Sequence, residues 1–434
     1  MSTNSSSQTG QARVRRPERF QIEWRTLSLD QMLPELHQAR NVWAYVESLD
    51  LSPLYENIQA VQGQPGRDHT DPRILMALWM FATIEGVSSA RRIAKLTTRD
   101  AAYMWIGGGV SVNHHMLSDF HTQHVGFLDQ LLTDTIATLL HHDLISLETI
   151  GQDGMRVRAS AGTSSFRRQP TLEKCRDQAR ERVEQMQAER ESQAEAAENS
   201  SRQDAARQRA AEDRQRRVKQ ALEELTELQQ QKEQQKEQRK KGDGTKARAS
   251  TTDPEARHMK MADGGFRPAY NVQFATTGTT RLIVSARVTN SGSDRGQMAP
   301  MHEDLQRRYG QSAENYLVDC GFATKEDITT LERDGVHVHA PIHGGDRMLA
   351  KGVDPHARQR GDTDEMATFR ERMPTDAAKN RYRDRPSIAE FPNAVCRNHG
   401  LQQFRVRGQT KVLAAVLWHA LTYNFVRQQS LGFC

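Results

Sequence analysis

Cysteine is scarce in this 434-residue chain: Cys175, Cys320, Cys396 and Cys434 are scattered, with no CxxC pair among them. That spacing argues against a structural zinc knuckle or a disulfide framework and suits a reducing cytoplasm. Long hydrophobic runs are missing as well. No stretch approaches the roughly 18 unbroken apolar residues of a membrane span, and the start of the chain lacks the apolar core of a signal peptide. We therefore expect a soluble, cytoplasmic protein with no membrane partner. Aromatics make up only 6% of the residues and the mean hydropathy is -0.77. Such values are low for one compact body and imply that a long section is solvated. Nor does one charge dominate: 60 Lys and Arg against 55 Asp and Glu leave +5. A polyanionic partner is therefore a matter of local patches rather than of the total. Three glycines, Gly107 to Gly109, are followed by no Lys-Ser or Lys-Thr, which argues for a turn and against a nucleotide-phosphate loop.

What remains divides by composition. Residues 1–20, rich in Ser, Gln and Arg, read as a disordered basic arm whose Arg13, Arg15 and Arg16 either touch phosphate or hang free. Residues 21–143 have helical periodicity. Asp71 and Pro72 start one helix, Ile74, Leu75, Leu78, Trp79 and Ala82 form its apolar stripe, and Gly86 stops it. Ser88 is expected to cap a second helix carrying Arg91, Arg92 and Lys95. Two helices joined through a glycine, the second basic, fit a helix-turn-helix on DNA or ordinary helical packing equally well. His114, His115, His121 and His124 lack metal-ligand spacing and read as surface or packing residues. Residues 170–248 are dominated by Glu, Gln, Arg, Lys and Ala, the solvated section sought above. A turn at 199–201 makes it a helical hairpin, and Val218, Leu222, Leu225 and Leu228 give it a weak coiled-coil seam. That arm serves dimerisation or DNA contact, or simply stands solvated.

The run Leu147 to Ala159, LETIGQDGMRVRA, is where chemistry first shows. At strand period, Gly151, Asp153, Met155 and Val157 share one face while Arg156 and Arg158 point away, towards DNA backbone rather than a reaction centre. A lone ionised acid among apolar neighbours costs several kcal/mol unless its pKa moves or it finds a partner or a metal. Further strands follow at 270–274 and 281–288 across a TTGTT turn, at NYLVD and at VHVHAPI, with helices after 298 and 324 and a loop at 242–252. The pattern is a mixed α/β sheet covered by helices and interrupted after its first strand by the charged section.

Asp319 ends the strand NYLVD and is followed by Gly321, a location where open sheets place binding groups; its plainer reading is a turn acid. Glu390 stands among Tyr382, Arg385 and Arg397, side chains that reach phosphate. Its plainer reading is a capping box with Ser387. Two Mg²⁺ ions about 3.5 to 4 Å apart need one bridging carboxylate and at least one more each, and Asp153, Asp319 and Glu390 are the candidates.

The segments DGMRVRAS, TDPEARHMK with PAYNVQ, YLVDCGFA and YRDRPSIAEFPNAVCR, in that order, resemble the blocks of bacterial insertion-sequence transposases of the DDE class. The nearest group has a long charged helical section after the first Asp. The resemblance implies a ribonuclease-H-like catalytic domain (144–169 and 249–434) with the hairpin inserted, preceded by an all-α N-terminal domain that binds terminal inverted repeats. It also implies two Mg²⁺ ions, replaceable by Mn²⁺, with Asp153 bridging both, Asp319 serving one and Glu390 the other. Tyr382, Arg385, Glu390 and Arg397 match the Y-x2-R-x3-E-x6-K signature with one residue too many before Glu390 and Arg in place of Lys.

Cleavage of double-stranded DNA at element ends and strand transfer to a target by a homo-oligomer is the activity so implied, with Arg385 and Arg397 holding phosphate and Tyr382 positioning it. A structure-selective nuclease of the same fold is the alternative enzyme, distinguished by failing to join a 3′-hydroxyl end to a second DNA. An inactive relative that binds DNA without cutting it is the non-enzymatic alternative.

Overall fold

The computed structural model describes residues 26–56, 58, 69–194, 202–239 and 246–433. The expected arm, 1–20, and the expected turn at 199–201 lie outside the described residues.

Seven α-helices precede the sheet among the described residues: α1 (Gln38–Ser48), α2 (Ser52–Tyr55), α3 (Pro72–Ile84), α4 (Ala90–Leu96), α5 (Ala101–Gly107), α6 (His114–Gln123) and α7 (Val125–His141). The Asp71 carboxylate accepts from Arg73 N and Pro72 occupies the first turn of α3, as the start signal predicts. Burial of α3 exceeds the single stripe expected, since every residue from Ile74 to Thr83 is buried. A helix apolar all round belongs inside a core. The cap of α4 is Ser89, which accepts from Arg92 N, and not Ser88. The Ser88 hydroxyl is taken instead by Arg405 Nε at 2.9 Å.

The sheet begins with β1 (Thr149–Arg158) and is then interrupted by β2 (Phe166–Arg167), α8 (Gln169–Ala194), α9 (Arg202–Arg239) and β3 (Ala249–Ser250). The expected loop at 242–252 thus contains a short strand, β3, which pairs antiparallel with β2 and closes the neck of the hairpin. Val218 and Leu225 are fully buried, and Leu225 clusters with Leu172, Ala221, Ala247 and Ala249. The seam legible in the sequence is consumed within the chain, where α8 and α9 pack on each other.

The sheet resumes with β4 (Arg257–Lys260), β5 (Phe266–Thr277) and β6 (Ile283–Thr289), followed by α10 (Met298–Tyr309), β7 (Asn315–Leu317), α11 (Lys325–Arg333) and β8 (His337–His339). Its order is β4-β5-β1-β7-β8 with β6 also on β5; β1 runs antiparallel to β5 and parallel to β7, and β7 parallel to β8. Helices α12 (Gly345–Leu349), α13 (Asp364–Arg372) and α14 (Asp376–Arg383) lead through a π-helical turn (Pro386–Glu390) into α15 (Phe391–Asn398) and α16 (Gln409–Leu431). Helix α16 packs against α3, α6, α7 and β6, so one apolar core runs from the N-terminal helices into the sheet. Asn424 fastens it to β6, accepting from Ile283 N and donating to Ile283 O, which covers backbone groups that the sheet leaves unpaired.

Candidate active site

Strand β1 sits at the centre of the sheet, and its two faces carry different chemistry. Gln152, Gly154 and Arg156 face one side. There, Gln152 Nε2 donates to Gln273 Oε1, Tyr316 OH donates to Gln152 Oε1, and Arg156 pairs with Asp294 at 2.7 Å. Arg156, expected to face DNA backbone, is bound to Asp294 and to Gly292 O. Gly151 and Asp153 face the other side, under the π turn and α15.

Register explains how Asp319 reaches Asp153. Gly151 pairs with Leu317 across the parallel β1/β7 ladder, so two residues further on each chain Asp319 runs alongside Asp153. Adjacent strands lie about 4.8 Å apart. Asp319 is also a turn acid, since its Oδ1 accepts from Gly321 N at 2.6 Å and Phe322 N at 3.3 Å. A Cβ on Gly321 would lie 2.9 Å from that oxygen, so the glycine is needed for the turn that holds the carboxylate. The two readings of Asp319 are thus one arrangement: the turn uses one oxygen and orients the other.

Glu390 arrives from the opposite layer. Arg385 Nη1 donates to Glu390 Oε1 at 2.6 Å, and its Nη2 reaches Asp153 Oδ1 at 3.2 Å, so one guanidinium, its side chain 9% exposed, spans the two acids. The additional residue between Arg385 and Glu390 is absorbed by the π turn, whose wider winding accommodates one extra position while keeping the two side chains together. No capping box forms, because the Ser387 hydroxyl donates to Asp384 O instead. Tyr382, in the last turn of α14, is half-buried; burial pushes its phenol up against the opposing pull of Arg385, with Asp319 and Glu390 among its charged neighbours. It is a neutral hydrogen-bond donor at neutral pH.

Burial also raises the Asp153 carboxyl to about 6, although Arg385 and a hydrogen bond from Asn393 pull it down and Asp319 adds to the rise. Asn393 is the residue that the sequence reading missed. Its Nδ2 donates to Asp153 Oδ2 at 2.8 Å and its side chain is buried. Its signal was present: it follows Glu390 by three residues on a helix, one turn along the same face.

The other predicted residues lie further out. Arg397 is exposed in the last turn of α15 and bonds to none of the three acids; Arg91, Arg92 and Lys95 are exposed on α4. His121 packs between Trp79 and Trp418, with ring centroids 4.1 and 6.0 Å away. The donor set of Asp153, Asp319 and Glu390 is hard oxygen throughout, the chemistry that a small divalent cation prefers. Among the described residues no three His, Cys, Asp or Glu side chains stand close enough to form a complete ligand set, and Arg385 supplies the countercharge between two of them.

Two family models match the chain. Residues 242–425 match a transposase DDE domain, and residues 27–123 match a transposase domain (DUF772). Asp319 and Glu390 fall inside the first match and α4 inside the second, whereas Asp153 lies between them. No curated protein and no solved structure matches.

Proposed function

We propose that this chain, which belongs to the insertion-sequence transposases of the DDE class, cuts DNA at the ends of its element and joins those ends to target DNA. The observation that carries this reading is the Arg385 guanidinium that joins Asp153 to Glu390, with strand register bringing Asp319 alongside Asp153. The strand order, with β1 between antiparallel β5 and parallel β7, supports a ribonuclease-H-like catalytic domain into which α8 and α9 are inserted.

Asp153, Asp319 and Glu390 are the residues that would hold divalent cations, Mg²⁺ or Mn²⁺. When bound, such cations supply Lewis-acid polarisation of the phosphate and lower the pKa of an attacking water. The chain's own side chains do the rest. Asn393 and the Gly321 turn fix the carboxylates before DNA arrives. Arg385 has the planar fork that exchanges a carboxylate for phosphate oxygens, and the Tyr382 phenol donates to the same group. In the first reaction water adds to phosphorus, the bond to the 3′-oxygen breaks, and the element keeps a 3′-hydroxyl. In the second that hydroxyl loses its proton and attacks a target phosphodiester, forming one bond to phosphorus and releasing one target 3′-hydroxyl. Arg91, Arg92 and Lys95 contact the terminal repeats, Arg397 the flanking backbone, and two or more copies of the chain pair the ends.

We favour this over an inactive relative because the π turn reconciles the altered spacing before Glu390 with a common site. The test is cleavage of a labelled terminal-repeat duplex with Mg²⁺ or Mn²⁺. Asp153→Asn, Asp319→Asn and Glu390→Gln are each expected to slow it at least a hundredfold, about 3 kcal/mol of barrier. Undiminished cutting by any of them would remove that residue from the site. Joining of a pre-cut end to a second DNA separates the transposase from a structure-selective nuclease.

A further inference from the structure

Several partly buried arginines are matched by acids: Arg308 with Asp129 and Asp304, Arg372 with Glu332, Arg257 with Glu224. One cleft gathers two exposed arginines, Arg91 and Arg405, with no acid beside them among the described residues. A cavity of about 350 Å³ lies at the seam where α4 and α6 face the 400–406 segment and α16. Arg91, Arg405, His114 and His115 line it, with His121 and His419 beside α16, together with three serines and a threonine; no carboxylate lines it. Arg405 is held by the neutral Ser88 hydroxyl alone among the described residues, and His419 Nδ1 is buried without a partner. Burial first, then His115 and Arg91, lower the His114 pKa, and burial lowers His121 and His419 to about 3, so the two guanidiniums carry the charge of the cleft and the imidazoles add neutral hydrogen-bonding groups. An uncompensated cluster of donors in a cleft selects an anion with several acceptor oxygens.

We propose that this seam is a binding site for a backbone phosphate of the DNA being cut, which ties the N-terminal helices to the catalytic centre through one duplex. The inference rests on the transposase reading above and adds the site, its residues and its position on the DNA. The position follows from β1. The wall of the cleft is bonded to the end of that strand, Arg158 N donating to Gln402 O and Phe404 N to Arg158 O. Arg158 lies five residues beyond Asp153 on β1, about 17 Å at 3.3 Å per residue. Successive phosphates on a strand are spaced about 3.4 Å along the duplex axis. For a duplex whose axis follows β1, the phosphate in the seam is then roughly five to seven nucleotides from the scissile one.

The test uses the full chain carrying Asp153→Asn, so that binding is read without cutting, and a fluorescent terminal-repeat duplex. Arg91→Ala and Arg405→Ala are each expected to weaken binding about tenfold, and the double variant, which frees the one seam phosphate, to lower the slope of log affinity against log salt by about 0.9. Arg405→Lys is expected to retain most of the affinity. A single neutral methylphosphonate five to seven nucleotides from the cleavage point should weaken binding by the parent chain and leave binding by the double variant unchanged. Unaltered affinity and slope in the double variant, with the parent binding normally, would overturn the seam. Weaker binding by the double variant with an unaltered slope, or a methylphosphonate effect that persists in it, would overturn the seam as well. Failure of the parent chain to bind the duplex at all would instead count against the transposase reading itself.

Discussion

Asn393 and Asp153, 240 positions apart in the chain, are joined by a 2.8 Å hydrogen bond from the amide to Oδ2. The Asn393 Oδ1 has no partner, so the amide is committed to this one contact. We expect Asn393→Ala to slow single-turnover cleavage about tenfold, the scale of one lost hydrogen bond to a charged group. Asn393→Asp should be worse, because it sets a second carboxylate against the first. Duplex affinity should stay unchanged in both; cleavage at the parental rate by Asn393→Asp would show that this bond does not orient the site.

Gly151 faces the π turn so closely that a Cβ would lie 2.7 Å from Ile388 Cγ2 and 3.2 Å from Ala389 Cβ. Gly151→Ala must therefore push the turn outward and carry the adjacent Glu390 with it. We expect lower cleavage and a stability loss of about 1–3 kcal/mol by urea denaturation. Loss of stability with full cleavage would mean that Glu390 does not depend on this contact.

Asp153 carries a pH signature. Its carboxyl is raised to about 6 from 3.8, so the folded protein holds this proton more tightly than the unfolded chain does. The stability contributed by the protonated form is complete below about pH 3.8 and is lost as pH rises through about 6. Asp153→Asn should thus be more stable than the parent at pH 7.5, by up to about 3 kcal/mol, and the gap should narrow to about a third of that at pH 4.5. Denaturation at the two pH values checks it.

The hairpin has its own small apolar cluster, and its ends meet where β2 pairs with β3. Replacing residues 171–246 with a short Gly-Ser linker is expected to leave the remaining fold intact, with a melting temperature within about 5 °C of the parent. A collapse of the melting transition would show instead that α8 and α9 hold the sheet together.

Elements governed by local rules were readable from the sequence: the alternation in β1, the Asp71–Pro72 start of α3, the Thr324 cap of α11, and the β5–β6 hairpin. Choices between neighbours were less so. Ser89 caps α4 because a residue 317 positions away claims Ser88, and no local signal carries that. The acids were visible as residue types, but their meeting depends on strand register and on a π turn, both set by tertiary packing. Asn393 was missed because an amide carries no charge to draw the eye, although its spacing from Glu390 was in plain view. The pairing of Arg156 with Asp294 had no local signal, because Asp294 comes from a loop after β6.

The neck formed by β2 and β3 has a consequence for how such proteins diversify. Because the two short strands already bring the ends of the arm together, lengthening the helices beyond the neck asks nothing further of chain closure in the sheet, and even an unstructured extension would add only about 0.6 kcal/mol per doubling of its length. The arm can then be lengthened or shortened while the carboxylates stay fixed, a graft point that separates reach from chemistry.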